Sequence, residues 1–243
     1  MARERLYGKT LEELAAITTA ASMPVYAARQ IAGWLYRRGA PEISTMTDLS
    51  LAARNLLQEG YETGLTPPSA AATGSDGTKK YLFPVSNNRF IETAFIPDRD
   101  RATVCLSVQS GCRMGCHFCM TARQGFQGNL TSNEILNQYR SLPEHELLTN
   151  IVYMGMGEPL DNLTEVLKSL EILTSAWGYG WSPTRITVST VGITGRIEEF
   201  LEKSRCHLAV SLHSPFDDER QTLMPVQKAH PLDKVLEIIR RFD

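Results

Sequence analysis

Several things are missing from this sequence, and each absence excludes something. No apolar run approaches the eighteen or so residues needed to cross a bilayer. The N-terminal MARERLYGKT has charges but no apolar core behind them, so it does not read as a secretory signal. The 243 residues carry only five cysteines, and a disulfide framework suits small secreted domains, which this is not. Cysteines without a signal point to a reducing cytosol, so the expected location is cytoplasmic, with no membrane partner. The basic excess usual in a nucleic-acid binder is also lacking, because the net charge is −2. Only local hints remain. Arg101, Arg113 and Arg123 have no acid among them from 101 to 130, and the first 41 residues hold six basic and three acidic side chains. At 42% hydrophobic and 21% charged, the remainder is ordinary for a globular protein of one or two domains.

What is there begins with Cys112-Arg113-Met114-Gly115-Cys116-His117-Phe118-Cys119, three thiols at C-x3-C-x2-C spacing. Thiolates bind soft metals, and iron–sulfur clusters are held mostly by cysteine sulfur. Three ligands for a four-iron cluster leave one iron open, and an open coordination position is where chemistry happens. The duller reading is structural zinc, with His117 as fourth ligand. His117 lies inside the loop beside Cys116, and a second cysteine pair is absent.

Residues 10–58 read as helical. Thr10 and Glu13 form a capping box, Pro24 opens a second helix ended by Gly39, and a third covers Asp48 to Gln58. The run from Thr66 to Gly74 reads as a linker. Lys79–Val85 and Arg89–Ile96 alternate as two strands about a Ser86-Asn87-Asn88 turn. A β-then-α rhythm follows, with strands at Ala102–Val108, Asn150–Met154, Arg185–Thr190 and His207–Leu212. The intervening helices start at Thr131, near Asn162, and after Gly192, and a last one runs from Leu232. Such alternation predicts parallel pairing, with the chemistry at the C-terminal strand ends. Four motifs fall there: the cysteine loop, Gly157-Glu158, Ser189-Thr190 and Ser211-Leu212-His213. Taken alone, each has a plain alternative. Glu158 would be a surface glutamate, Ser189 a common strand-end residue, His213 a structural histidine, Glu92 an outward strand residue, and Cys105 and Cys206 packing.

The run CRMGCHFCMTARQGFQ from Cys112 to Gln127, with MGMGEPL at Met154–Leu160 and AVSLHSP at Ala209–Pro215, resembles the radical S-adenosylmethionine (SAM) enzymes. Among these it is most similar to the RlmN/Cfr-type RNA methyltransferases. The likeness covers nearly the whole chain. It implies an α/β fold, a partial (β/α) barrel with about four of six units, a small helical N-terminal domain and a β-hairpin extension. The implied division is an RNA-binding accessory domain at 1–70, a linker and hairpin at 71–101, and the barrel at 102–243. It implies a [4Fe-4S] cluster on Cys112, Cys116 and Cys119, and SAM contacts at Gly157, Glu158, Ser189, Ser211, Leu212 and His213. Glu92 would remove a proton from the adenine ring, and Cys105 would release a covalent protein–RNA adduct by forming a disulfide. The implied activity uses two SAM molecules to methylate adenine C2 in 23S rRNA, with tRNA as a further substrate. An electron donor such as flavodoxin or ferredoxin is implied, and a monomer.

The chain departs from the family in one respect. Members continue through two further β/α units and a tail, which supply another SAM contact and a methyl-carrying cysteine. None of the five cysteines here takes that place. The expectation is a fragment of a longer protein, its last strand edge unpaired. Alternatives from the sequence are a Cfr-type enzyme acting at adenine C8, and a truncated chain that binds cluster and SAM without turnover. A non-enzymatic, zinc-stabilised or electron-transfer RNA-binding module is a further one.

Overall fold

The computed structural model describes residues 3–242. Three N-terminal helices come first: α1 (Leu11–Ala20), α2 (Ala27–Ala32) and α3 (Leu51–Gly60). The Thr10 side chain accepts from the Glu13 amide and the Glu13 carboxylate accepts from the Thr10 amide, so the capping box closes as its spacing predicts. Two starts fall later than expected. Helix α2 begins at Ala27 rather than Pro24, and α3 begins after Ser50, whose hydroxyl accepts from the Ala53 amide. Between them α2 loosens into a π-helical turn, Gly33–Arg38, and Gly39 stops it in the left-handed region at φ 66°.

The centre is a seven-stranded sheet. Its strands are β1 (Ala70–Thr73), β2 (Lys79–Val85), β3 (Arg89–Asp98), β4 (Arg101–Cys105), β5 (Asn150–Tyr153), β6 (Ile186–Thr190) and β7 (His207–Val210). They lie in the order β7-β6-β5-β4-β3-β2-β1. The four strands from β4 to β7 pair in parallel, and β1 to β4 pair antiparallel. The turn between β2 and β3 holds Asn87 and Asn88 at φ 62° and 54°, a conformation asparagine tolerates. Two expectations need correction. The small-residue run is not all linker: Ala70–Thr73 is a strand, exposed at the sheet edge. The first barrel strand ends at Cys105 rather than Val108, because Leu106 to Gln109 bend to hydrogen-bond Val152 and Met156.

Parallel strands need crossovers, and helices supply them: α4 (Ser132–Arg140), α5 (Leu163–Thr174) and α6 (Thr194–Lys203). Helix α7 (Asp217–Leu223), which the sequence reading missed, and α8 (Leu232–Arg240) complete the chain. A second capping box, Thr131 with Glu134, starts α4. No helix among the described residues is long and apolar enough to cross a membrane.

Strand registers sort the sheet residues by face. Ile91, Phe95, Val104, Ile151, Tyr153, Ile186 and Val188 are buried against the helices and form its core. Their neighbours one step along, Glu92, Ala94, Cys105, Val152, Thr187 and Ser189, lie on the other face. None of these is fully buried. The sheet is therefore helix-covered on one side and open on the other, the form of a partial barrel.

The N-terminal helices share the main core. Tyr7, Tyr36, Tyr139, Tyr179, Trp177 and Trp181 pack as one aromatic group, with Tyr36 and Tyr179 centroids 5.6 Å apart. The buried Asn133 side chain donates to Tyr7 and Gly64 carbonyls, both at 3.0 Å, so α4 is tied to the N-terminal segment.

Candidate active site

At the C-terminal ends of β5, β6 and β7 lies a cleft of about 260 Å³. The loop after β4 brings Cys112, Cys116 and Cys119 to one wall. The turn after β5 brings Gly157 and Glu158, β6 brings Ser189 and Thr190, and the end of β7 brings Ser211 and His213. These elements meet because every parallel strand ends at the same rim.

The cysteine loop is held from three sides. Its Arg113 pairs with Asp161 at 2.9 Å and lies over the Phe126 ring at 3.9 Å. The His117 amide donates to the Leu223 carbonyl at 3.0 Å, which fixes the loop to α7. Cys116 packs with Val191 and the fully buried Met224. All five cysteines are free thiols. Burial pushes the Cys112 thiol up to about 11, with Glu158, Cys116 and Cys119 adding to the rise. Among the described residues, no three or more His, Cys, Asp or Glu side chains gather closely enough to hold a single metal ion. A zinc ion needs its donors within about 2.0–2.3 Å of one centre. Three thiols on one cleft wall are a soft donor set, of the kind that suits an iron–sulfur cluster.

Gly157 has φ 96°, and a Cβ there would stand 2.5 Å from the Gln109 Cβ, so only glycine fits. Gln109 is fully buried and links the two loops: it accepts from the Glu158 amide at 2.9 Å and donates to Asp161 at 2.7 Å. Glu158 is 3% exposed. Its carboxylate accepts from the Thr190 hydroxyl at 2.6 Å, the Val191 amide at 2.9 Å and the Leu160 amide at 3.1 Å. Burial outweighs those bonds and raises its pKa to about 7. The plain alternative of a surface glutamate does not hold, because the turn folds the side chain inward. A carboxylate has about four lone-pair directions, so one remains for a ligand. Ser189 and Ser211 hydroxyls lie 3.5 Å apart. His213 sits at φ 57° with its ring 4.4 Å from that of Phe118.

The remaining residues singled out from the sequence stand outside the cleft lining. Leu212 is half exposed, and its carbonyl accepts from Arg220 at 3.2 Å. Cys105 is on the open face of β4, half-buried, its thiol pushed up to about 11 by desolvation. Glu92 is exposed on the same face of β3, paired with Lys80 at 2.9 Å. Cys206 is buried packing. A larger cleft of about 710 Å³ runs between α1, α5 and α6. Within it Lys168 pairs with Glu13 and Lys203 with Glu199.

Gln109, Asp161 and Arg220 were not foreseen as part of the site. Gln109 looks like a strand residue, and Arg220 sits in the acid-rich DDERQTL, which reads as a solvated helix.

Comparison with known proteins gives the family. Residues 106–243 match the radical SAM superfamily, and residues 5–62 match the ribosomal RNA large subunit methyltransferase N-terminal domain. A probable dual-specificity RNA methyltransferase RlmN from Parabacteroides distasonis is 54% identical over 241 residues, covering 99% of this chain and 70% of that protein. The dual-specificity RNA methyltransferase RlmN of Syntrophus aciditrophicus is 43% identical, covering 100% of this chain and 71% of the relative. The crystal structure of a radical SAM methyltransferase from Sphaerobacter thermophilus superimposes with a TM-score of 0.89 at 38% identity, over 98% of this chain and 72% of that one. With both family models matched and relatives aligned along its whole length, the chain belongs to the RlmN family of radical SAM RNA methyltransferases.

Proposed function

We propose that this chain carries the cluster- and SAM-binding machinery of an enzyme that methylates C2 of a specific adenosine in 23S rRNA, with tRNA as a second substrate. The observation that carries the reading is the meeting of three thiols, the Gly157–Glu158 turn and two serine-bearing strand ends on one cleft. The relatives' names support RNA as the substrate class.

Cys112, Cys116 and Cys119 are the residues that would hold a [4Fe-4S] cluster, since soft thiolates suit it. When bound, the cluster supplies one electron to split SAM homolytically, a route open at an adenine carbon that is a poor nucleophile. The chain's own residues do the rest. The remaining lone pair of Glu158 and the Gly157 carbonyl suit the ammonium of SAM. Ser189 and Ser211 offer hydroxyls to its carboxylate or ribose, His213 borders the same pocket, and Leu212, between Ser211 and His213 in the chain, contacts SAM from just outside the lining. Phe118 and His213 rings wall the mouth and limit water.

Glu92 accepts the proton that leaves the adenine ring. Its exposure leaves it within reach of a substrate as large as RNA. Cys105 would attack the sulfur of the family's methyl-carrying cysteine, which is not among this chain's five; the S–S bond forms as the C–S bond to the adenine-borne methylene breaks, and that carbon keeps the electron pair and takes a proton. Burial keeps Cys105 an unreactive thiol until a base or solvent reaches it. The helical segment at 1–70 grips RNA, and a small one-electron carrier such as flavodoxin or ferredoxin reduces the cluster. The setting is the bacterial cytoplasm, with the enzyme a monomer.

Anaerobic reconstitution tests this. The chain is expected to turn brown with about four irons and to change its spectrum on adding SAM. RNA methylated by the chain extended with the methyl-carrying region of its relatives is then digested, and its nucleosides are identified by mass and chromatography. A C8 product overturns the choice of C2. A colourless, zinc-loaded chain without a SAM response overturns the enzyme reading.

A further inference from the structure

We infer that Arg220 is a positioning residue. It clamps the strand ends that carry the SAM-side residues and sets a buried positive charge, free of any carboxylate partner, behind Cys116. The inference rests on the reading of the cleft as a cluster and SAM site.

Arg220 lies on α7 and is 0% exposed, the largest fully buried side chain among the described residues. Its Nη2 donates to the Val191 carbonyl at 2.7 Å and the Ser211 carbonyl at 3.2 Å. Its Nε donates to the Leu212 carbonyl at 3.2 Å, and its Nη1 to the Gln227 side chain. One planar fork thus joins the end of β6 to the end of β7, just where Ser211, Leu212 and His213 leave the strand. The same short helix holds the cysteine loop through the bond from His117 to Leu223. Met224, next along, packs on Cys116 and Val191. Arg220 is therefore the joint between the cysteine wall and the strand-end wall of the cleft.

Burying a cation against carbonyls alone is costly. Apolar packing of similar volume would leave the Val191, Ser211 and Leu212 carbonyls unpaired, so the joint needs a forked donor here. Arg220 forms no ion pair among the described residues. Asp217 is held one step away, accepting from Gln227 at 2.6 Å. The Arg220 guanidinium meets the Val191 carbonyl, and Val191 and Met224 pack with Cys116, so the charge stands one residue behind that thiol. The charge thus stands on the side of the site where thiolates, and the SAM carboxylate, bring negative charge. A cation there favours the reduced, more negative state of a thiolate-bound cluster. Lysine keeps the charge but lacks the planar fork, so the two contributions separate by substitution.

The test uses the 243-residue chain reconstituted anaerobically, beside Arg220→Lys and Arg220→Met. Iron content, melting temperature, cluster midpoint potential by EPR-monitored titration, and SAM affinity from the spectral change are measured on each. Arg220→Lys is expected to keep the potential and weaken SAM binding about tenfold, the loss of one charge-assisted bond. Arg220→Met is expected to weaken SAM binding and also move the potential to more negative values. Should Arg220→Met not fold, Arg220→Lys decides: weaker SAM binding at unchanged potential supports the inference, and wild-type affinity overturns it. Variants that only melt lower, with potential and SAM affinity unmoved, overturn it too. If the unsubstituted chain takes up no iron, the reading of the cleft has failed instead.

Discussion

The two faces of the central sheet are made from alternate residues of the same strands, and they do opposite things. Ile91, Val104, Ile151 and Val188 are sealed under helices. Glu92, Cys105, Val152 and Ser189, each one position along, look out of the open side. Because the side-chain period of a strand is two, a one-residue step separates stability from chemistry. Either face can be altered with little effect on the other, and substitutions that should respect that division test it.

The largest expected effect is on the closed face. Ile151→Ala should destabilise the chain by roughly 2–5 kcal/mol, the range for emptying a packed core site. Val152→Ala, beside it but half-buried, should cost under about 1.5 kcal/mol, since it leaves less apolar contact to lose. Urea denaturation compares the two. Equal losses would mean that the open face is packed after all.

Glu158 stands at the boundary, a carboxylate on the rim yet buried as deeply as the core. Its pKa is raised from 4.5 to about 7, so the folded chain binds its proton more tightly than the unfolded chain does. Its contribution to stability is present below the unfolded carboxylate range and is lost as pH rises through about 7. Without ligand, the chain should lose up to about 3 kcal/mol between pH 5 and 8 from this group. Glu158→Gln should flatten that slope. Thermal melts across the range measure it, and a variant with the same slope would assign the effect elsewhere.

Gly157→Ala should cost about 2 kcal/mol, through strain at positive φ and displacement of Gln109. It should also abolish the SAM-induced spectral change, because Gln109 holds both the Glu158 amide and Asp161. Retained SAM response at reduced stability would mean the turn tolerates a shift.

Much of the arrangement was readable in the residues. Thr10 with Glu13 and Thr131 with Glu134 announced two helix starts, since capping depends on neighbours only three positions apart. Asn87 and Asn88 announced the hairpin, and strand alternation placed the parallel rim on which the cleft residues meet. The misses were of another kind. Ala70–Thr73 is a strand by virtue of its partner, because its three alanines have little strand preference of their own. The inward turn of Glu158, the link through Gln109 and the burial of Arg220 depend on partners 7 to 49 residues away. No local pattern encodes such distances.

The smallest effect on stability should come with a large loss of activity, and it separates the faces most cleanly. Glu92 and Lys80 are about half exposed, so their 2.9 Å ion pair is screened by water. Such a pair contributes about 0–1 kcal/mol. Glu92→Gln should therefore leave the melting temperature, iron content and SAM affinity nearly unchanged. Lys80 is the ion-pair partner of the Glu92 carboxylate among the described residues. If Glu92 takes the adenine proton, methylated nucleoside formation, measured on a chain extended by the methyl-carrying region of its RlmN relatives, should fall by about 10²–10⁴-fold, the usual worth of a positioned base. Methylation at the wild-type rate would leave Glu92 as an outward strand residue with a surface partner. A loss of several kcal/mol would show instead that the open face bears on folding.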